Sequence, residues 1–232
     1  MKLNKYYRYM HSRFNLIPYY FHTGNSYKPN TIFIAINSAC NLRCKMCDVG
    51  QQNISSQFYK NMSSSGKELS IERLKLLIDE VKPFKPIIAV TSTEPLLYKN
   101  IMEFAGYTKS KGVEFHLTTN GYLLPRFAEE IVNSDIDILS ISLDGSPEIH
   151  NEIRGRKDSF EKAYEGIKLV EKFKKEKNKA KPKINLNYCI SDYNYDSLID
   201  FMESIKDLEL NSIIFSHLNF VTKEMAKAHN KL

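Results

Sequence analysis

The sequence predicts an α/β protein built around a parallel β-sheet. Six short runs rich in Val, Ile and Thr alternate along the chain with longer segments whose apolar residues recur at helical spacing. A helix between two strands returns the chain to the same end of the sheet, so consecutive strands run parallel. The 232 residues, 42% hydrophobic and 26% charged, suffice for one substantial domain or two small ones.

The strands are predicted from their β-branched residues and from the turn signals that follow them, such as Asn120-Gly121. They span residues 31–37, 87–91, 113–118, 136–143, 183–190 and 212–217.

Five helices are predicted between the strands. Ser70 and Ser159 stand where a side chain can cap a helix, and Pro125 suits a first turn. Phe160 and Ile167 belong to one apolar stripe of the longest helix, and a further helix is expected around Thr222. The five helices span residues 71–81, 98–110, 125–132, 159–173 and 195–205.

The charge pattern does not favour a nucleic-acid partner. The net charge is +6, and much of the excess lies in the lysine-rich residues 168–183. We interpret that stretch as a solvated helix end and loop, because a nucleic-acid surface needs more than one charge run. The sequence has no run of roughly 18 apolar residues and no signal peptide, so we expect no transmembrane segment and a cytoplasmic protein.

Residues 1–30 are rich in aromatic side chains, including Tyr6, Tyr20 and Phe21. We expect them to pack on the domain as an N-terminal extension; a membrane surface or a partner is the alternative, because basic and aromatic residues mix there. The main domain is expected over residues 31–232. We expect one of two cases: the chain is cut short, before the last helix or before a C-terminal domain, or the domain is complete without a further domain.

Three of the four cysteines form a cluster directly after the first strand. Cys40, Cys44 and Cys47 have the spacing C-x3-C-x2-C. Three thiolates on one loop can bind three irons of a [4Fe–4S] cube and leave the fourth open, whereas ferredoxin-type carriers supply four cysteines. An open position is typical of a catalytic centre. Zinc bound by three cysteines and a histidine, with His22 the nearest, and chance clustering are the alternatives; Cys189 is expected to be a buried strand residue rather than a fourth ligand.

Later strand ends carry further short motifs, in order. The cysteine run contains Met46 before its last cysteine, and the second strand is followed by Ser92-Thr93-Glu94-Pro95. Asn120 follows the third strand, and Ser142 and then Arg154 come at and after the fourth. Over residues 31–217 this series resembles the radical S-adenosylmethionine (SAM) superfamily, in particular its molybdenum-cofactor and peptide-maturase (SPASM-type) branch.

The resemblance implies roles for these residues. Met46 would lie near the SAM adenine, Glu94 would bind the SAM amino group, and Ser92 and Thr93 replace the glycines of the family's Gly-Gly-Glu-Pro motif. Ser142 would touch the ribose, Arg154 would meet the carboxylate, and Asn120 would contact SAM. The residues alone leave simpler interpretations open: an exposed loop acid for Glu94, an ordinary strand residue for Ser142, a surface charge for Arg154, a turn for Asn120, and structural roles for His150 and His217.

The resemblance further implies a partial (β/α)6 barrel that binds a [4Fe–4S] cluster and SAM. Its activity, that of an oxidoreductase or transferase, would be reductive cleavage of SAM to a 5′-deoxyadenosyl radical, which abstracts hydrogen from a small-molecule or peptide substrate. An external donor such as a flavodoxin or ferredoxin would supply the electron. A non-catalytic iron–sulfur or zinc protein and an accessory peptide-binding module are the alternatives.

Overall fold

The computed structural model of the chain describes residues 10, 13–14, 17–21, 27–57, 59–61, 68–217, 224 and 227. Its six strands form one sheet in sequence order, and every neighbouring pair is parallel. The predicted α/β class is therefore confirmed, and the open sheet is consistent with a partial barrel. The strands are β1 (Thr31–Ile34), β2 (Ile87–Val90), β3 (Glu114–Thr119), β4 (Ile138–Ser142), β5 (Lys183–Ile190) and β6 (Ser212–His217).

Most of the helices lie between strands. They are α1 (Ile17–Tyr20), α2 (Ile71–Val81), α3 (Ile101–Ser110), α4 (Leu124–Asn133), α5 (Pro147–Arg154), α6 (Ser159–Glu176) and α7 (Leu198–Ser204), with a 3-10 turn at Pro95–Leu97. Within the described residues, no helix is both long enough and apolar enough to cross a membrane.

The core lies between the sheet and its covering helices. Strand residues alternate between the two faces, so Phe115 and Leu117 of β3 are fully buried while His116 between them is not. Phe104 of α3 meets Phe115 edge to face, with ring centroids 5.5 Å apart. Burial of one such side chain stabilises the fold by about 1.5–3 kcal/mol.

The helices differ from the predictions in several details. No helix was predicted over the segment of α5. Ser159 does not cap α6: Asp158 holds that position, and Ser159 is the first helical residue. The helix predicted over residues 195–205 begins only at Leu198. Buried Asn194 donates to the carbonyls of Asp144 and Cys189 and holds the preceding chain in a turn. Along α7, Phe201 is the buried residue, whereas Ile199 is 83% exposed.

Several other predictions fall partly or wholly outside the described residues. Tyr6 and Thr222 are not described, so the role of the N-terminal extension and the helix expected near Thr222 stay predictions. Tyr20 and Phe21 are exposed.

In the lysine-rich stretch, Lys177 pairs with Glu129 at 2.8 Å. Lys181 likewise pairs with Asp137 at 2.6 Å.

Two glycines offer a matched test of helix packing. Gly166 of α6 lies against α4, where an added Cβ would stand 2.6 Å from Leu124. At Gly106 of α3, an added Cβ would meet nothing within 4 Å beyond the adjacent residues and backbone of its own helix. We expect Gly166→Ala to lower the free energy of unfolding by about 1–3 kcal/mol through overpacking. Gly106→Ala should raise it by about 0.5–1 kcal/mol, because alanine favours the helix. Urea denaturation measures both, and a Gly166→Ala variant as stable as wild type would contradict the packing.

Candidate functional site

The predicted site residues gather at one edge of the sheet, where the carboxyl ends of the strands meet. The cysteine loop follows β1, Ser92 to Glu94 follow β2, Asn120 follows β3, and Ser142 ends β4. Ligand sites of parallel α/β sheets occupy this edge.

Each sulfur of the cysteine cluster accepts at least one hydrogen bond, and Cys40 also has one from the backbone of Leu42. The Gly50 amide donates to Cys47 Sγ at 3.4 Å, Asn120 Nδ2 to Cys40 Sγ at 3.9 Å, and Arg154 Nη1 to Cys44 Sγ at 3.7 Å. Donors to sulfur stabilise thiolate charge and tune iron–sulfur clusters. The donor set therefore fits a cluster held by three thiolates.

Burial opposes ionisation of two of these thiols. It raises the pKa of Cys40 and of Cys44, and for Cys44 the charge of Arg154 acts in the opposite direction. Because a thiol must lose its proton to bind iron, a metal at this site would have to offset the burial.

The described part of the chain contains no group of three or more His, Cys, Asp or Glu side chains placed to share one metal ion. A zinc ion needs every ligand within about 2.0–2.3 Å. The thiolates of a cubane bind different irons and do not converge on one point. His22, the histidine nearest the cluster in sequence, lies outside the described residues.

The cysteine loop is attached to the end of α5. The Arg43 amide donates to the Arg154 carbonyl at 3.2 Å, and the Lys45 amide to the Ile153 carbonyl at 2.8 Å. Gly155 ends the helix at φ +67°, and a Cβ there would stand 2.7 Å from the Arg43 carbonyl oxygen. This contact requires glycine for both its dihedral and its space. The helix that sequence reasoning missed is therefore the support of the candidate metal centre.

A signal for α5 is present in the sequence. Pro147 lies in its first turn and Gly155 directly follows its end, the asymmetric pattern that marks helix termini. The helix is short and mostly polar, and its apolar stripe consists of only Ile149 and Ile153, too few to stand out in the sequence.

Arg154 is buried in an ion pair. The guanidinium is 2.5 Å from Asp144 Oδ2, and the two residues are 9% and 0% exposed. Burial disfavours the charge of Arg154, but Asp144 and Cys44 outweigh it and raise the pKa of the guanidinium above its ordinary value. The alternative of a surface charge is thus wrong, while the predicted contact with the SAM carboxylate stays a prediction.

Asp144 is itself held from two sides. Its Oδ1 accepts from the Cys189 amide at 3.0 Å, and its own amide donates to His150 Nδ1 at 3.0 Å. Burial, with the charge of Arg154, lowers the pKa of His150 well below its ordinary value, so the ring stays neutral and can accept this bond. Sequence reasoning assigned Asp144 no role.

Glu94 joins the ends of β2 and β3. Its Oε1 accepts from the Leu96 amide at 2.9 Å and the Thr119 hydroxyl at 2.7 Å, and its Oε2 from the Asn120 amide at 2.8 Å. The residue is fully buried, so the alternative of an exposed loop acid is wrong. Burial raises the pKa of Glu94, although the three donors oppose the rise. Its predicted contact with the SAM amino group stays a prediction.

The two residues that replace the family's glycines adopt the glycine-type backbone. Ser92 has φ +74° and Thr93 has φ +36°. Such values are uncommon for serine and a real outlier for a β-branched residue. The Thr93 hydroxyl donates a hydrogen bond to Asn37 Oδ1 at 2.7 Å, and Asn37 Nδ2 donates one to the Glu94 carbonyl at 3.0 Å. Asn37, which sequence reasoning did not single out, thus holds the strained turn in place.

The remaining predicted residues also lie at this edge. Asn120 is buried: its Nδ2 donates to Asn41 Oδ1 at 2.8 Å, and its Oδ1 accepts from the Tyr122 amide at 3.0 Å. It therefore makes the turn bonds of the simpler interpretation. Met46 and Ser142 are half-buried. The SAM contacts of all three stay predictions.

The strain at Ser92 is testable by substitution. We expect Ser92→Gly to be more stable than Ser92→Ala by about 1 kcal/mol, because only glycine adopts this dihedral without a Cβ clash. At Ser110, the last residue of α3, the order should reverse, since glycine is disfavoured in a helix. Chemical denaturation of the four variants gives both differences. Equal stability of the two Ser92 variants would show that the turn is unstrained.

Comparisons with known proteins agree with this geometry. The radical SAM superfamily model matches residues 34–205. The AdoMet-dependent heme synthase of Methanosarcina barkeri is 30% identical over 183 residues, which cover 78% of this chain and 48% of that protein. The GTP 3′,8-cyclase of Helicobacter pylori (strain 26695) is 28% identical over 201 residues, with coverage of 85% and 57%. The chain thus spans about half the length of the curated relatives it matches.

Solved structures share the fold. Streptococcus suis SuiB bound to S-adenosylmethionine superposes with a TM-score of 0.66 at 17% identity, covering 95% of this chain and 48% of that one. The anSMEcpe structure with bound AdoMet and a peptide gives 0.61 at 20% identity, covering 82% and 51%. Because the family model covers well over half of the sequence, this chain belongs to the radical SAM superfamily.

Proposed function

We propose that the chain is the core of an enzyme that cleaves SAM reductively at a [4Fe–4S] cluster held by Cys40, Cys44 and Cys47. Members of the superfamily bind both cofactors, which together supply a 5′-deoxyadenosyl radical for hydrogen abstraction. The observation that carries the proposal is that each of the three sulfurs accepts a hydrogen bond. Each accepts a donor from a different part of the site: the cysteine loop, the turn after β3, and α5.

The surrounding residues hold the loop in a fixed position. The Glu94 amide donates to the Ala39 carbonyl at 3.0 Å, which ties the turn after β2 to the cysteine loop. Together with the bonds to α5, this fixes the loop directly before Cys40 and on both sides of Cys44. A fixed loop can orient its ligands before the cofactors bind, which lowers the entropic cost of assembly.

The substrate class follows only from the relatives. One printed name is GTP 3′,8-cyclase, another is a heme synthase, and SuiB was solved with its precursor peptide. We extend this range to the present chain as a small-molecule or peptide substrate. An external one-electron donor such as a flavodoxin or ferredoxin would reduce the cluster. Four described cysteines without a disulfide favour a reducing compartment, which we take to be the cytoplasm.

Anaerobic reconstitution tests the proposal. The wild-type chain should bind about four irons and, with reductant and SAM, release 5′-deoxyadenosine. Cys44→Ala should lose both, because two thiolates remain for the cluster. Cys189→Ala is the matched control and should behave as wild type. Tightly bound zinc in place of iron, or iron without 5′-deoxyadenosine, would refute the proposed activity.

A further inference from the structure

A buried ion pair lies directly behind one cluster ligand. Arg154 reaches Cys44 Sγ through Nη1 at 3.7 Å and Asp144 Oδ2 through Nη2 at 2.5 Å. Both residues of the pair are almost completely removed from solvent. Charges in such surroundings act on their neighbours with little screening.

The pair is fixed on both sides. Arg154 is the last residue of α5, and its carbonyl accepts from the amide of Arg43 in the cysteine loop. Asp144 is held by the Cys189 amide and by His150. The anchored Asp144 carboxylate therefore holds the guanidinium beside the sulfur.

We propose that Asp144 and Arg154 act as positioning residues that set the reduction potential of the cluster through Cys44. The inference rests on the proposed cluster. Reduction brings one electron from an external reductant to the cluster; no bond forms or breaks, and the site gains one negative charge. The Arg154 charge, at the sulfur, stabilises the reduced state. Asp144 stands one group farther away and partly cancels that charge.

The two residues therefore predict shifts of opposite sign. Arg154→Gln removes the positive charge and makes reduction less favourable by about tenfold, which for one electron is about 59 mV toward negative potential. Asp144→Asn leaves the arginine uncompensated and moves the potential to the positive side. The double variant falls between the single ones. General loosening of the fold would move both single variants in the same direction.

The potentials are measured on the reconstituted full chain without SAM, by titration with titanium(III) citrate monitored by electron paramagnetic resonance. Arg156→Gln is the matched control, because its side chain is 44% exposed and pairs with Asp158 at 3.5 Å. Its equilibrium constant for cluster reduction should stay within twofold of the wild-type value. Iron content and thermal midpoint are recorded for every variant. If Arg154→Gln does not load iron, Arg154→Lys replaces it; it keeps the charge but loses the fork, and should shift less than tenfold in the same direction.

Several outcomes separate the possibilities. The inference is overturned if Arg154→Gln and Asp144→Asn keep equilibrium constants for reduction within twofold of wild type, or if both potentials shift in the same direction. Loss of SAM affinity in Arg154→Gln with an unchanged potential also overturns it, and assigns the guanidinium to the SAM carboxylate alone. A wild-type chain that binds no cluster refutes the proposed function instead. A chain that binds a cluster but does not cleave SAM also fails that function, whereas its potentials, measured without SAM, still test the inference.

Discussion

The contact between the cysteine loop and the end of α5 is the constraint on which the site depends. The loop starts at the edge strand β1, yet its amides bond carbonyls of a helix that follows β4. To get there it passes the ends of β2 and β3, where Glu94 and Asn120 bond it. Elements far apart in sequence are thereby fixed relative to three thiols. Gly155 permits the contact, because any side chain there would meet the Arg43 carbonyl.

Most of the polar groups at this edge are paired, because they are costly to bury alone. A buried donor or acceptor without a partner costs about 1–3 kcal/mol. Glu94 accepts three bonds, and the side-chain amide of Asn194 donates two. Strain at Ser92 and Thr93 adds a cost of about 1–3 kcal/mol per residue, which the Asn37 bonds offset in part. Burial of the apolar core behind the sheet offsets these costs for the fold as a whole.

Sequence patterns predicted what local periodicity controls. The ends of β5, β6 and α2 agree with prediction, because β-branched runs and the Ser70 cap are local signals. The helix α5 was missed because it is short and polar. The Asp144–Arg154 pair and the Asn37–Thr93 bond were missed for another reason: their partners come from separate segments, and a single sequence does not show which polar residues meet.

The internal bonds of Glu94 and Arg154 leave part of the hydrogen-bonding capacity of both side chains unused. A carboxylate offers about four acceptor positions, and Glu94 uses three. A guanidinium has five donors, and Nε of Arg154 has no hydrogen-bond partner among the described residues. Each group thus keeps capacity after its protein bonds are made. A side chain held by internal partners also loses less conformational entropy when a ligand binds, so support of the fold and recognition of a cofactor can reside in the same residue.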